Sequence, residues 1–188
     1  MKKILLILLF LPMIGFGQNV NIPDANFKTY LIGNSLINTN GDTEIQVSEA
    51  TSFDGWINIW GAGISDLTGI EYFTSLTTLT IHTNQLTSLD LSQNTALTWL
   101  NCADNDLTSL DVSNNTALTY LACSNNSLES LDVSQNTALY NLYCHNNQLS
   151  SLDLSNNPAL TTLICRNNNL TSLDVSNNTA LISLICHN

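Results

Sequence analysis

From Leu76 to Ala180 apolar and polar positions recur every 21 residues through five gapless blocks. The blocks begin at Leu76, Leu97, Leu118, Leu139 and Leu160, and a sixth begins at Leu181. Counting the first Leu as position one, positions one, four, six, eleven, fourteen and sixteen are apolar in essentially every block. Positions four and six differ by two, the alternation that puts both on one face of a strand. A coil this short cannot close a core alone, so the stack as a whole is the folding unit. The pattern predicts an α/β solenoid, a right-handed superhelix with a parallel β-sheet on one face, over residues 76–188. Each block holds two similar half-turns, LxxLxCxxN and LxxLDVSxN. The second half is therefore expected to be extended as well, short of a full helix.

Position six is Ile81, then Cys102, Cys123, Cys144, Cys165 and Cys186. An inward phase repeated by stacking makes these an internal ladder of five cysteines. Neighbours in such a stack point in parallel about 4.8 Å apart, longer than the roughly 3.8 Å between the Cβ atoms of a disulfide. Free, buried thiols acting as small apolar side chains are expected. Zinc needs thiolates converging on one point rather than lying along a line. Cys144 and His145 are adjacent, so alternation sends them to opposite faces and they cannot act as nucleophile and base. The Asn at position nine (Asn84, Asn105, Asn126, Asn147, Asn168) sits where each strand turns away, and stacked amides there can satisfy the backbone of the turn. A second Asn recurs at position nineteen, from Asn94 to Asn178.

Upstream, residues 1–17 carry Lys2 and Lys3, an apolar run from Ile4 to Leu11, then Pro12 and the small Gly15 and Gly17, the three regions of a secretory signal peptide. The run is too short for the roughly 20 residues of a membrane span. Residues 18–53 are expected to form a helical N-terminal cap. Phe27, Tyr30 and Leu31 fall at helical spacing after Asp24. The loop from Asn38 to Glu49 can be set against the calcium loop of an EF-hand, with Asn38, Asn40, Asp42 and Glu49 at its ligand positions and Glu44 giving a backbone carbonyl. Asn38 stands where Asp is usual and Thr43 where the turn wants Gly. The plainer expectation is a metal-free cap; no cofactor is expected, and weak calcium at this loop is the one candidate. Residues 54–75 read as one degenerate coil, with Ala62 in place of the position-nine Asn.

Charge narrows the partners. Without Lys2 and Lys3, two cations, Lys28 and Arg166, face fifteen carboxylates, a formal −13. Nucleic acid is excluded as a partner, because phosphate binding needs a positive stripe. On the strand face, positions three, five and seven point outward. They bring Trp99 beside Tyr120, and Tyr143 beside Ile164, with Asn101, His145 and Arg166 around them: a candidate contact band. The alternative is that the rings only stabilise the sheet. Asp recurs at position fifteen (Asp90, Asp111, Asp132, Asp153, Asp174) and reads as a solvated acidic edge with loose cation affinity.

The block LxxLx(C/I)xxNxLxSLD(V/L)SxNxA opens with the leucine-rich repeat signature. Its spacing resembles the cysteine-containing repeats of secreted bacterial proteins, especially Bacteroidetes-type ones, and more distantly the internalins, to which Ile64–Phe73 (ISDLTGIEYF) is the most similar part. Internalin caps have a shape similar to that expected for residues 18–53. Proteins of this kind often carry a C-terminal sorting domain; this sequence stops inside a coil at Asn188, so the apolar end of the stack is expected to meet missing sequence or another chain. The resemblance implies a secreted or cell-surface interaction module, not membrane-spanning, that binds a protein or glycan through its strand face. The alternative is an accessory or spacer domain of a larger extracellular enzyme or surface protein truncated at Asn188. With no acid pair, no nucleophile with a base and no phosphate loop, the chain itself is not expected to be an enzyme.

Overall fold

In the computed structural model residues 17–187 are described; the expected signal peptide, Gly17 apart, lies outside the described residues, as does Asn188. Seven three-residue strands form one parallel sheet in sequence order: β1 Trp56–Asn58, β2 Thr78–Thr80, β3 Trp99–Asn101, β4 Tyr120–Ala122, β5 Asn141–Tyr143, β6 Thr162–Ile164 and β7 Ser183–Ile185. Equal positions pair across the stack, so Leu79, Leu100, Leu121, Leu142, Leu163 and Leu184 lie in one row. A one-residue slip would turn that row outward, which is why the apolar pattern fixes the register.

The strands stay short because position eight turns left-handed. Thr83, Asp104, Asn125, Asn146 and Asn167 have φ between 53° and 59°, a region that Asn and Asp tolerate better than other side chains. The return half of each coil is extended and bent by turns rather than helical. In one coil Asn115 N donates to Val112 O and Leu118 N to Asn115 O, each at 3.0 Å. Helices of the described residues precede the regular repeats.

The interior is a column of Leu with the thiols inside it. Cys102, Cys123, Cys144 and Cys165 are buried and all five cysteines are free. Burial pushes the Cys102 thiol up to about 12 and the Cys165 thiol up to about 11. One expectation fails here: Cys186 is exposed. Among the described residues no coil stacks over β7, so its inward positions face solvent, and Leu184 is 41% exposed where the earlier Leu of the row are fully buried.

Two amide ladders hold the coils together. At position nine, Asn105 Nδ2 donates to the carbonyls of Ile81, Cys102 and Ala103 while its Oδ1 accepts Leu86 N. Asn126 and Asn147 repeat the arrangement. In the degenerate coil, where Ala62 replaces Asn, Asn84 of the next coil accepts the Ala62 and Ile64 N–H groups. At position nineteen, Asn136 Nδ2 bridges Val112 O and Asn115 O. These bonds satisfy carbonyls that lie too deep for water.

The cap closes the other end. α1 (Ala25–Gly33) starts at Asp24, whose Oδ1 accepts Asn26 N and Phe27 N while its Oδ2 accepts Ser65 N of the first coil. Phe27 and Leu31 are fully buried. α2 (Val47–Ser52) begins with a reciprocal bond pair between Gln46 and Glu49, as in a capping box. The Tyr30 hydroxyl accepts Asn58 N at 3.1 Å, which covers an N–H on the free edge of β1.

Candidate functional site

The outward positions of the strands form a shallow face of aromatic, amide and hydroxyl groups. Trp99 and Tyr120, paired by register, stack with centroids 3.5 Å apart and planes 2° from parallel. Tyr143 leans on Tyr120 at 5.4 Å and 41°. All seven residues expected on this face, Trp99, Asn101, Tyr120, Tyr143, His145, Ile164 and Arg166, lie on the outward side of β3 to β6 or just beyond the strand ends. Ala103, Ala122 and Ser124 also occupy outward positions yet are 5–8% exposed.

Two tryptophans that the sequence reading left out complete the band. Trp56 is 72% exposed and Trp60 is 66% exposed. Register places Trp56 in the row of Thr78 and Trp99, and Trp60 stacks on His82 at 6.2 Å and 12°. A second omission is the polar rail along the edge. Asn167 donates to Asn146 at 2.6 Å, Asn146 to Asn125, and Asn125 to the Asp104 carboxylate at 2.8 Å. Its trace in the sequence is the polar residue before each position-nine Asn.

Charge is scarce here. Arg166 is the one permanently ionised side chain among the outward strand positions of the described residues. Burial, and then the Arg166 charge, hold the His145 imidazole below its usual range, so His145 is neutral at neutral pH. Cys144 is buried inward while His145 is half-buried outward, on opposite faces as alternation requires.

The acidic column is elsewhere, on the return side. Each position-fifteen Asp accepts the N–H of the Ser two residues on, as in Asp132 with Ser134 N at 2.8 Å. That backbone bond, with the Ser hydroxyl, keeps these carboxyls below their ordinary range. The column thus caps turns as well as facing solvent.

In the cap loop the side-chain oxygens meet N–H groups of the loop itself. Asn38 Oδ1 accepts Gly41 N, Asn40 Oδ1 accepts Asp42 N, and Asp42 Oδ1 accepts Glu44 N. Glu49 accepts Thr39 N, Asn40 N and Gln46 N. Glu44 turns away to Lys28 Nζ at 2.8 Å. The left-handed turn missing at Thr43 is supplied by Gly41, at φ 71°. Among the described residues no group of three or more His, Cys, Asp or Glu stands close enough to hold a metal.

The family model of the leucine-rich repeat domain of the endo-beta-N-acetylglucosaminidase EndoS matches residues 41–157. The chain belongs to this leucine-rich repeat family. It is similar in structure to the functional domain of InlJ from Listeria monocytogenes, described as including a cysteine ladder, with 37% identity, 90% of this chain and 42% of that chain covered, and a TM-score of 0.69. It is also similar to an internalin, InlF, of the same species, at 25% identity over 90% of this chain and 52% of that one, with a TM-score of 0.77. The likeness to a leucine-rich repeat protein of Leptospira interrogans, at 24% identity over 63% of this chain and 33% of that one and a TM-score of 0.60, shows the fold alone. The chain spans about half the length of the internalins it matches. No curated protein matches it. The repeats are thus leucine-rich repeats similar to those of internalins, and among the described residues no helix is long and apolar enough to cross a membrane.

Proposed function

We propose that the chain is a secreted or cell-surface binding module that holds its partner on the strand face and performs no chemistry of its own. The observation that carries this is the exposed aromatic band from Trp56 to Tyr143 on an almost uncharged face of an otherwise acidic protein. Monomeric proteins rarely leave contiguous apolar area open without a contact role, and Trp and Tyr are the side chains most enriched at binding hot spots. The export part rests on the charge and apolar pattern of residues 1–17. The test is Trp99→Ala combined with Tyr143→Ala. It should abolish retention of a partner from host or biofilm extract, at a stability loss of about 1–2 kcal/mol for the ring contacts removed. Asp132→Asn, on the return side, should leave retention intact. A double variant that keeps its partner places the binding face elsewhere.

For the cap we propose that calcium, where it is taken up, goes weakly to the loop from Asn38 to Glu49, because the ligand oxygens must first release the N–H groups they accept. Calorimetry on the wild type and Glu49→Gln checks this. Binding heat that survives the substitution unchanged would assign the calcium to another site.

A further inference from the structure

The row Trp56, Thr78, Trp99 sets a small side chain between two large ones on successive strands β1, β2 and β3. Trp99 and Tyr120 are parallel within 2° at 3.5 Å, so the line between their centroids runs along the ring normal. Because the two residues are partners on adjacent strands, that normal runs across the strands. The other face of Trp99 therefore looks over Thr78 toward Trp56. With Tyr120 covering one face of Trp99, Trp99 is still 42% exposed, and Trp56 is 72% exposed. Two strand spacings put the backbones of Trp56 and Trp99 about 10 Å apart. Contact distances of about 3.5–4.0 Å on each side of an inserted ring would use about 8 Å of that separation. That backbone spacing matches the insertion of one ring in a slot over Thr78.

Its chemistry narrows the occupant. The face of an indole is the negative part of its quadrupole, which attracts the polarised C–H bonds on the flat side of a pyranose. The floor is the Thr78 side chain, flanked by Asn58 and Thr80; none of the three side chains makes a hydrogen bond to another described residue. Asn101 keeps its amide nitrogen for a ligand, since only its Oδ1 is engaged, by Ala103 N at 3.2 Å. An apolar protein side chain would press its edge on a hydroxyl floor, whereas a sugar ring offers C–H bonds to the rings and hydroxyls to the floor. Charge complementarity selects a neutral sugar. The slot holds no cation, and the chain carries a formal net charge of −11, which repels polyanions.

We propose that the slot over Thr78, between Trp56 and Trp99, holds a neutral hexopyranose ring of a polysaccharide. The inference rests on the strand face being the interaction surface and names the ligand class for one part of it. The test is affinity electrophoresis of the whole chain in native gels containing hydroxyethyl cellulose, laminarin or galactomannan, with polygalacturonate as the anionic control. At least one neutral polymer should retard the wild type, and polygalacturonate should not. Trp56→Ala removes one wall and Thr78→Trp fills the slot while leaving both walls; each should weaken retention at least tenfold. Tyr140→Ala, an exposed ring that is not an outward strand position, should not weaken it. Circular dichroism checks that each variant is folded, and Trp56, largely exposed, can be truncated without opening a cavity. The proposal is overturned if no neutral polymer retards the chain, if polygalacturonate alone does, or if Trp56→Ala and Thr78→Trp both retain the wild-type shift. A protein partner that is lost with Trp99→Ala and Tyr143→Ala, in a chain that no neutral polymer retards, would overturn the sugar and leave the interaction module standing.

Discussion

Leu121→Ala should destabilise the chain by about 3 kcal/mol, within the range for emptying a fully buried leucine site, while Leu184→Ala should cost less than about 1 kcal/mol, as expected away from a packed core. Both residues occupy position four and share one row of the sheet. Leu121 is completely buried between Leu100 and Leu142, whereas Leu184 is 41% exposed. The contrast therefore isolates stacking from residue type. In a solenoid each coil contacts only its neighbours, so a cavity at Leu121 weakens both interfaces of one coil. Urea unfolding measures the energies, and amide exchange should show lost protection concentrated from β3 to β5. Equal losses for the two variants would mean that the stack is not stabilised coil by coil.

The same repetition explains what could be read without a structure. A period of 21 residues with Leu at fixed positions leaves one way to bury all the Leu, so the parallel sheet, the register, the inward cysteines and the role of the position-nine Asn follow directly. Asp24 marked the helix start for a local reason, the need to satisfy free N–H groups. Features that depend on the surroundings did not show. Cys186 shares the sequence context of Cys165 and differs in that no coil among the described residues stacks over it. Trp56 and Trp60 sit in a coil of irregular wording, so their membership of the outward rows appears only when Trp56 pairs with Thr78. The left-handed turn at position eight has no signal in the apolar pattern, although Asp104, Asn125, Asn146 and Asn167 form a bonded rail there. Likewise the Asp column looked merely solvated, because the bond from Asp to the Ser two residues on is a matter of backbone turn geometry. The candidate contact band was half legible: Trp99, Tyr120 and Tyr143 came from strand alternation, but the low exposure of Ala103, Ala122 and Ser124 depends on their surroundings.

Asn105→Ala should cost about 2–3 kcal/mol, from a desolvation loss of about 1–3 kcal/mol for the one buried N–H left unpaired and a smaller loss at each carbonyl that gives up one of its two donors. The Asn105 amide donates to Ile81 O, Cys102 O and Ala103 O, each at 3.1 Å, and its Oδ1 accepts Leu86 N at 3.1 Å. Alanine leaves Leu86 N without an acceptor in a site where Asn105 itself is 7% exposed, while Ile81 O, Cys102 O and Ala103 O each lose one of two donors and keep Asn84 Nδ2, Asn126 Nδ2 and Thr83 N. Asn105→Asp separates hydrogen bonding from shape. It keeps the acceptor for Leu86 N and the volume, but its ionised form turns negative oxygen toward three carbonyls. Burial and those carbonyls should raise its carboxyl above the usual Asp range in the folded state. The folded variant then binds a proton more tightly than the unfolded one, so its stability should be greatest in acid and fall as the pH rises through the folded value. The wild type lacks that group and should not show this added fall. Thermal melts of both chains between acid and neutral pH read the difference, and an Asp variant as stable as wild type at neutral pH would show that the amide donors do not hold the coils together.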